Sequence, residues 1–375
     1  MKTSRADKIR IFLVNWLYTS FYGLAVDEWI RMLRRHDFAV DAPYLPRAAL
    51  MTLTSILTSL IRVYENKKYN PKLADIEIRQ PLFILGHWRS GTTHLHNLLS
   101  LDEQFAHPNM WQVLNPHTFL CTERYSAIME LAAPKTRLID NVAFAAEVPH
   151  EDEFATCGTL CSPCVGWIFP RWAGYYQRYL TFRDVPEEEV DRWKASLMLL
   201  YKKLTWKFGR PLVLKSPPHT ARIGLLLEMF PDARFVHIHR DPYAVFESAR
   251  RAIQVMERAT CLQTPRSLDD INAWIIRRYE TVYDAFFEER HLIPDGQFHE
   301  VRFDDLERDP VAEMRRLYEQ LEIPGFEALQ PLLENYVSAN SSYRKNEYQE
   351  LPSSLRREIS QAWRRSFDEW NYPYD

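Results

Sequence analysis

Three short apolar runs and a fourth strand-like segment punctuate the chain, each closed by residues that end or cap regular structure. Pro81-Leu82-Phe83-Ile84-Leu85 stops at Gly86, Pro211-Leu212-Val213-Leu214 stops at Lys215, Ala233 to His239 stops at Arg240, and Gln297 to Phe303 runs into Asp304-Asp305. Continuous apolar runs of this length predict strands buried on both faces. Helical spacing lies between them, as in Ile223, Leu226, Leu227 and Phe230 after the second run. Longer helices are predicted from Glu187 to Phe208, from Ser267 to Arg290 and from Ser353 to Phe367. The alternation predicts an α/β fold, a central parallel sheet flanked by helices, with ligands at the carboxyl ends of the strands.

Ahead of the first strand the pattern changes. Ile11 to Val26 carries no charge and follows Lys8 and Arg10, and Ala48 to Ile61 is apolar up to Arg62. Both stretches are shorter than the ~20 residues of a spanning helix. The first also holds Asn15, Thr19 and Ser20, and Gly23-Leu24-Ala25-Val26 makes a poor signal-cleavage site. Two helices packed on the core are expected, giving a helical amino-terminal segment over residues 1–75 and a main domain over 76–375. Peripheral contact with a bilayer through residues 11–61 stays open as the alternative.

Composition narrows the classes. A formal net charge of −3 offers no basic face for nucleic acid. Five cysteines without regular pairing point to a reducing compartment, the cytoplasm. Only ten glycines occur in the chain. The pair Gly86 and Gly91 is therefore informative.

That pair frames Gly86-His87-Trp88-Arg89-Ser90-Gly91-Thr92-Thr93, a strand, a glycine-bounded turn and a helix start. Backbone N–H groups at such a helix start face an anion, and the helix dipole favours negative charge there. The nucleotide-triphosphatase loop places lysine directly after its second glycine. Here Thr92 follows Gly91 and the cation sits earlier, at Arg89, which counts against a kinase or ATPase. A second anchor follows the third predicted strand. Arg240-Asp241-Pro242 ends it, and Ser248 lies eight residues after Arg240 on the next helix. An arginine and a serine so placed can converge on one phosphate.

Arg89-Ser90-Gly91-Thr92-Thr93 resembles the 5′-phosphosulfate loop of sulfotransferases that use 3′-phosphoadenosine 5′-phosphosulfate, in the arginine form of the bacterial and tyrosylprotein branches. Arg-Asp-Pro followed by Ser248 resembles that family's 3′-phosphate motif. The resemblance implies a P-loop-like fold and in-line, metal-independent transfer of a sulfuryl group to a hydroxyl or amine. It implies that Arg89, Ser90, Gly91, Thr92 and Thr93 hold the 5′ end, that Arg240 and Ser248 hold the 3′-phosphate, and that His94 approaches the adenine. Phe303-Asp304-Asp305-Leu306 is similar to the family's Tyr-Glu-Asp segment, with the tyrosine hydroxyl missing. Arg344-Lys345-Asn346 is similar to its Arg-Lys-Gly loop over the 3′-phosphate, without the glycine. The match covers about residues 80 to 310.

Sulfuryl transfer develops negative charge on the bridging oxygen, so cations aimed there lower the barrier. Arg89 is one candidate and Lys215, in Lys215-Ser216-Pro217-Pro218-His219, the second; this stretch resembles one in bacterial members. Three residues compete for the role of base. His219 has a suitable ordinary pKa, while Glu151 and Glu153 belong to an acidic triplet whose members raise one another's pKa. Tyrosylprotein-type relatives carry a glutamate after the phosphate helix, where this chain offers Gln112, which cannot accept the proton. A nucleotide-binding protein without catalysis is thus the rival reading from another class. Cys157, Cys161 and Cys164 have the spacing of an iron–sulfur motif, but one helix face of buried thiols is the expected arrangement. His237 and His239 share a strand face and are expected to be structural. A small-molecule, lipid or carbohydrate acceptor fits the aromatic residues Trp167, Trp172, Tyr175, Tyr176 and Tyr179.

Overall fold

The computed structural model describes residues 23–127, 147–339 and 351–374. The four segments form β1 (Leu82–Leu85), β2 (Val213–Lys215), β3 (Arg234–His239) and β4 (Phe298–Arg302), the last only partly buried. They pair in parallel in the order β2-β1-β3-β4. Side chains alternate between two layers, as the period of two requires. Phe83, Leu85, Leu214 and Phe235 enter one core cluster, while Leu82, Ile84, Val213, Val236 and Ile238 enter the other.

The chain leaves β1 for one neighbour and later crosses to the other, so strand order reverses between β1 and β3. Ligands of open α/β sheets bind outside the carboxyl ends at such a reversal. Leu85 pairs with His237 there. The register brings the segment after Leu85 beside the segment after His239.

Helices cover both faces. On one lie α3 (Thr92–Leu99) and α8 (Pro310–Gln320), through Leu95, Leu98, Leu99, Met314 and Leu317. The other carries α4 (Glu187–Phe208), α5 (Ile223–Met229), α6 (Pro242–Thr260) and α7 (Leu268–Glu289). The bounds of α4 match the sequence reading, with three glutamates in its first turn and Gly209 at φ +64° closing it. Ser267 caps α7 by accepting the Asp270 N–H at 3.2 Å. The predicted helix from Ser353 to Phe367 is broken into α9 (Ser353–Ala362) and a short turn of helix from Arg364. Trp363 sits at the break, its ring stacked 3.7 Å from Tyr279 and its Nε1 donating to Ile276 O at 3.1 Å.

The amino-terminal segment departs further from expectation. A helix α1 (Val26–Arg35) starts where the first apolar stretch ends, and residues 11–22 lie outside the described residues. The second stretch extends to α2 (Leu45–Leu73), 29 residues long. Its polar second half stays helical because Glu65, Tyr69 and Leu73 bury one face at fourfold spacing. Glu65 meets Lys203 of α4 at 2.7 Å, both fully enclosed. The opposite face exposes Leu53, Ile56, Leu57, Leu60, Val63 and Tyr64. The three cysteines also differ from expectation. Asp152–Thr159 is a 3₁₀ segment ending at Leu160, φ +63°, so Cys157, Cys161 and Cys164 do not share one α-helical face; all are buried free thiols.

Candidate active site

The loop after β1 is held in a conformation that its residues do not adopt freely. Gly86 lies at φ +143° and Gly91 at φ +108°. A Cβ on Gly86 would meet Ile238 O at 2.5 Å, and one on Gly91 would meet the Phe303 ring at 2.3 Å. Arg89 itself takes φ +75°, a left-handed conformation that costs an L-residue energy. Side chains from elsewhere fix this turn. Gly86 N–H donates to Thr220 Oγ1 at 2.7 Å, and His87 N–H donates to Tyr283 OH at 3.3 Å. Thr92 and Thr93 then open α3. Ser90 Oγ is buried without a hydrogen-bond partner among the described residues. A compact turn with an unsatisfied hydroxyl at a helix start fits an anion.

The second anchor meets this loop directly. Asp241 caps α6 by accepting the Tyr243 N–H at 3.1 Å, and Pro242 occupies the first turn. Arg89 Nε donates to Ser248 Oγ at 2.8 Å, and Arg240 Nη1 donates to Arg89 O at 3.4 Å. Ser248 therefore bonds the loop arginine, where the sequence reading had grouped it with Arg240. The Arg240 guanidinium lies 4.3 Å over the Phe303 ring. Phenylalanine at this position serves as a platform for Arg240 and as a wall behind Gly91. His94 lies on the first turn of α3, its pKa lowered by burial and partly restored by the charge of Glu307. Arg344 and Lys345 lie outside the described residues.

At the end of β2, Lys215 Nζ lies 2.9 Å from Glu151 Oε1 and 3.5 Å from Thr93 Oγ1. Lys215 is buried, while the Glu151 side chain keeps 15% of its surface exposed. Of the three residues expected to compete for the role of base, Glu153 and His219 are sealed. Glu153 grips Arg222 through two contacts of 2.6 and 3.2 Å, both side chains fully enclosed. His219 Nε2 faces the Asp152 carboxylate at 3.0 and 3.1 Å, also without exposure. Asp152 accepts from Tyr201 OH at 2.5 Å and from Ser216 Oγ as well. Although burial works to raise its pKa, the charge of His219 and these hydrogen bonds bring it down to about 2. The acidic triplet thus divides its members among three partners, Lys215, His219 and Arg222.

Sequence reasoning passed over Asp152, Ser216, Thr220 and Arg222 as parts of this site. Ser216 lies in the stretch it had marked, Thr220 directly follows it, and Asp152 lies within the triplet. Arg222 carried no signal, because its partner is 69 residues away. Gln112 is buried in a capping pair with Asn109 and donates to Glu123 Oε1 at 2.8 Å, a helix-end role. His237 and His239 stack along β3 with Trp370, at 5.4 and 4.7 Å between ring centres.

Comparison with known proteins decides the family. A model described as "Sulfotransferase family" matches residues 81–328, from β1 past the last strand. The chain belongs to the sulfotransferase family. This sulfotransferase is 33% identical over 360 residues to the omega-hydroxy-beta-dihydromenaquinone-9 sulfotransferase Stf3 of Mycobacterium bovis, covering 96% of this chain and 92% of the relative. It is 26% identical to human carbohydrate sulfotransferase 5, over 86% of this chain and 81% of that protein. Among solved structures, STF9 from Mycobacterium avium superposes with a TM-score of 0.67 at 20% identity, covering 100% of this chain and 98% of that one. STF1 from Mycobacterium tuberculosis superposes at 0.64 and 17% identity, covering 96% and 99%. The sulfotransferase therefore has the P-loop-like fold of these neighbours and transfers a sulfuryl group, and the kinase reading is set aside.

Proposed function

We propose that the donor is 3′-phosphoadenosine 5′-phosphosulfate and that Glu151 takes the proton from an acceptor hydroxyl. The observation that carries this reading is the Lys215–Glu151 pair, 2.9 Å apart and within reach of Thr93 on the phosphate loop. It sets a cation for the leaving oxygen beside a carboxylate that an acceptor can touch. Bound, the donor supplies an activated sulfuryl group and leaves as a nucleotide bisphosphate. Arg89 and the Ser90–Thr93 turn hold its 5′ end, and Arg240 holds the 3′-phosphate. Arg89 and Lys215 donate to the bridging oxygen as negative charge develops there. Glu151 orients the hydroxyl and receives its proton. Glu153 and His219 position the segment that carries Glu151, through Arg222 and Asp152.

A lipid alcohol is the acceptor class we favour, with carbohydrate second. Stf3 is named for a hydroxylated menaquinone and the human relative for carbohydrate. What supports the lipid is α2. The helix is long and apolar enough to cross a membrane. One face is occupied by the Glu65–Lys203 pair, which leaves the Leu53-to-Tyr64 stripe for contact with a bilayer surface. Lys67 and Lys68 follow that stripe at its end, as on helices that lie in an anionic interface. We therefore place the enzyme in the cytoplasm, against the membrane. The test is donor-dependent mass gain on hydroxylated isoprenoid lipids in mixed micelles and on sugars, with Glu151→Gln as control. No sulfated product from either class, or undiminished turnover in Glu151→Gln, would overturn the reading.

A further inference from the structure

We propose that Arg278 is a receptor for an oxyanion at the base of the transfer site, an inference that rests on the phosphate loop being the donor cradle. Arg278 lies on α7 and retains 3% of its surface. Its guanidinium sits 3.5 Å over the Trp88 ring and 4.4 Å over the Trp274 ring. Trp88 is the loop residue immediately before Arg89. The same helix supplies Tyr283, whose hydroxyl accepts the His87 N–H. Arg278 thus belongs to the floor under the loop.

Its bonding is what sets it apart. Arg278 Nε and Nη2 are buried with no hydrogen-bond partner among the described residues. Arg266 offers the internal contrast. It lies 4.5 Å over the same Trp274 ring, yet its Nε donates to the enclosed carboxylate of Glu257 at 2.7 Å. One of the two guanidiniums on this indole has its acid and the other has none. Two neighbouring orphans share its sign, while the neutral His87 Nε2 beside them is a buried, unpartnered acceptor. Trp88 Nε1 and Trp274 Nε1 are buried, unpartnered N–H donors. A guanidinium stripped of water strongly requires an acceptor. Three donor groups with no anionic acceptor among the described residues, only the neutral His87 nitrogen, call for a group rich in anionic oxygens, received edge-on by the planar fork. Burial, aided by the like charge of Arg266, pulls the Arg278 pKa down to about 9, against the opposing charges of Glu151 and Glu153. It stays protonated at neutral pH.

Two sources share this chemistry: the sulfuryl oxygens of the donor, and a carboxylate or phosphate carried by the acceptor. Titration calorimetry on the full chain separates them, comparing wild type with Arg278→Met and Arg278→Lys. The probes are 3′-phosphoadenosine 5′-phosphosulfate, adenosine 3′,5′-bisphosphate, and dodecanoate added to bisphosphate-saturated protein. If the donor is the source, Arg278→Met loses about tenfold in its preference for the phosphosulfate over the bisphosphate, the weight of a charged hydrogen bond. If the acceptor is the source, that preference survives and dodecanoate binding falls by about tenfold. In both cases Arg278→Lys recovers part of the loss, and Arg278→Met melts at or above the wild-type temperature, since a buried unpaired charge has been removed.

Binding of all three probes within about twofold of wild type in Arg278→Met overturns the proposal. So does a melting temperature well below wild type, because it would make Arg278 a residue that holds the fold. Wild type that binds neither nucleotide overturns the donor assignment instead, and dodecanoate binding to the nucleotide-free protein then decides Arg278 by itself.

Discussion

Three consecutive carboxylates, Glu151, Asp152 and Glu153, should respond to the same loss of charge in different ways. Glu153→Gln leaves Arg222 fully enclosed without its anion. Breaking a buried pair from one side costs about 3–5 kcal/mol. Arg222 keeps the Tyr179 and Leu180 carbonyls as acceptors and lies 4.8 Å over Phe182 and 4.7 Å over Trp193. These contacts put the expected cost at the lower end, about 3 kcal/mol, or a fall in Tm of roughly 5 °C. Glu151→Gln leaves the buried Lys215 without its anion, but water reaches Glu151 and Thr93 Oγ1 stays 3.5 Å from the ammonium, so its stability cost should fall below that of Glu153→Gln. Its kcat is expected to fall by roughly 10²–10⁴, the span of a general base. Urea unfolding and initial rates, measured on both variants at equal folded concentration, give the comparison. Glu153→Gln as stable as wild type, or Glu151→Gln with wild-type kcat, would refute the division of roles.

Arg89→Gly separates the side chain from the strained backbone it occupies. Glycine relaxes φ +75°, so turnover should vanish while Tm stays level or rises by the effect of about 1 kcal/mol; a fall in Tm with activity retained would contradict this. Arg240→Ala should keep measurable kcat and weaken adenosine 3′,5′-bisphosphate binding by about 1.5–3 kcal/mol in a competition assay. Stability should also fall in mild acid. His36, His87 and His239 are buried neutral, with burial pulling their pKa values to about 4, 3 and 3. Folded values below the ordinary ~6.5 mean that the unfolded chain binds more protons, so this stability is full above ~6.5 and lost as pH falls towards the folded values. Between pH 7 and 5 each histidine should cost roughly 2 kcal/mol; a Tm constant across that range would be incompatible with it.

Strands and the two anchors were legible because their signals are local. A buried parallel strand is an unbroken apolar run, and glycines at Gly86 and Gly91 announce a turn few other residues accept. The length of α2 was hidden because the reading ended at the first charge, Arg62, although Glu65, Tyr69 and Leu73 keep a buried face going. The partition of the acidic triplet was hidden for another reason. Lys215, His219 and Arg222 lie 64 to 69 residues along the chain. Three adjacent acids look equivalent until tertiary contacts assign each a partner. Phe303 read as a lost hydroxyl, when its ring supports Arg240 and closes on Gly91.

The hydrogen bond from Arg240 to the Arg89 carbonyl joins the two ends of the proposed nucleotide cradle through the backbone of the loop itself. A donor that spans both anchors is gripped as a chelate, the first contact raising the effective concentration of the second. Adenosine 5′-phosphosulfate, lacking the 3′-phosphate, forfeits that linkage along with one ion contact. Discrimination against it should then exceed the value of a single phosphate, and a free nucleotide pool would be sorted by geometry as well as by charge.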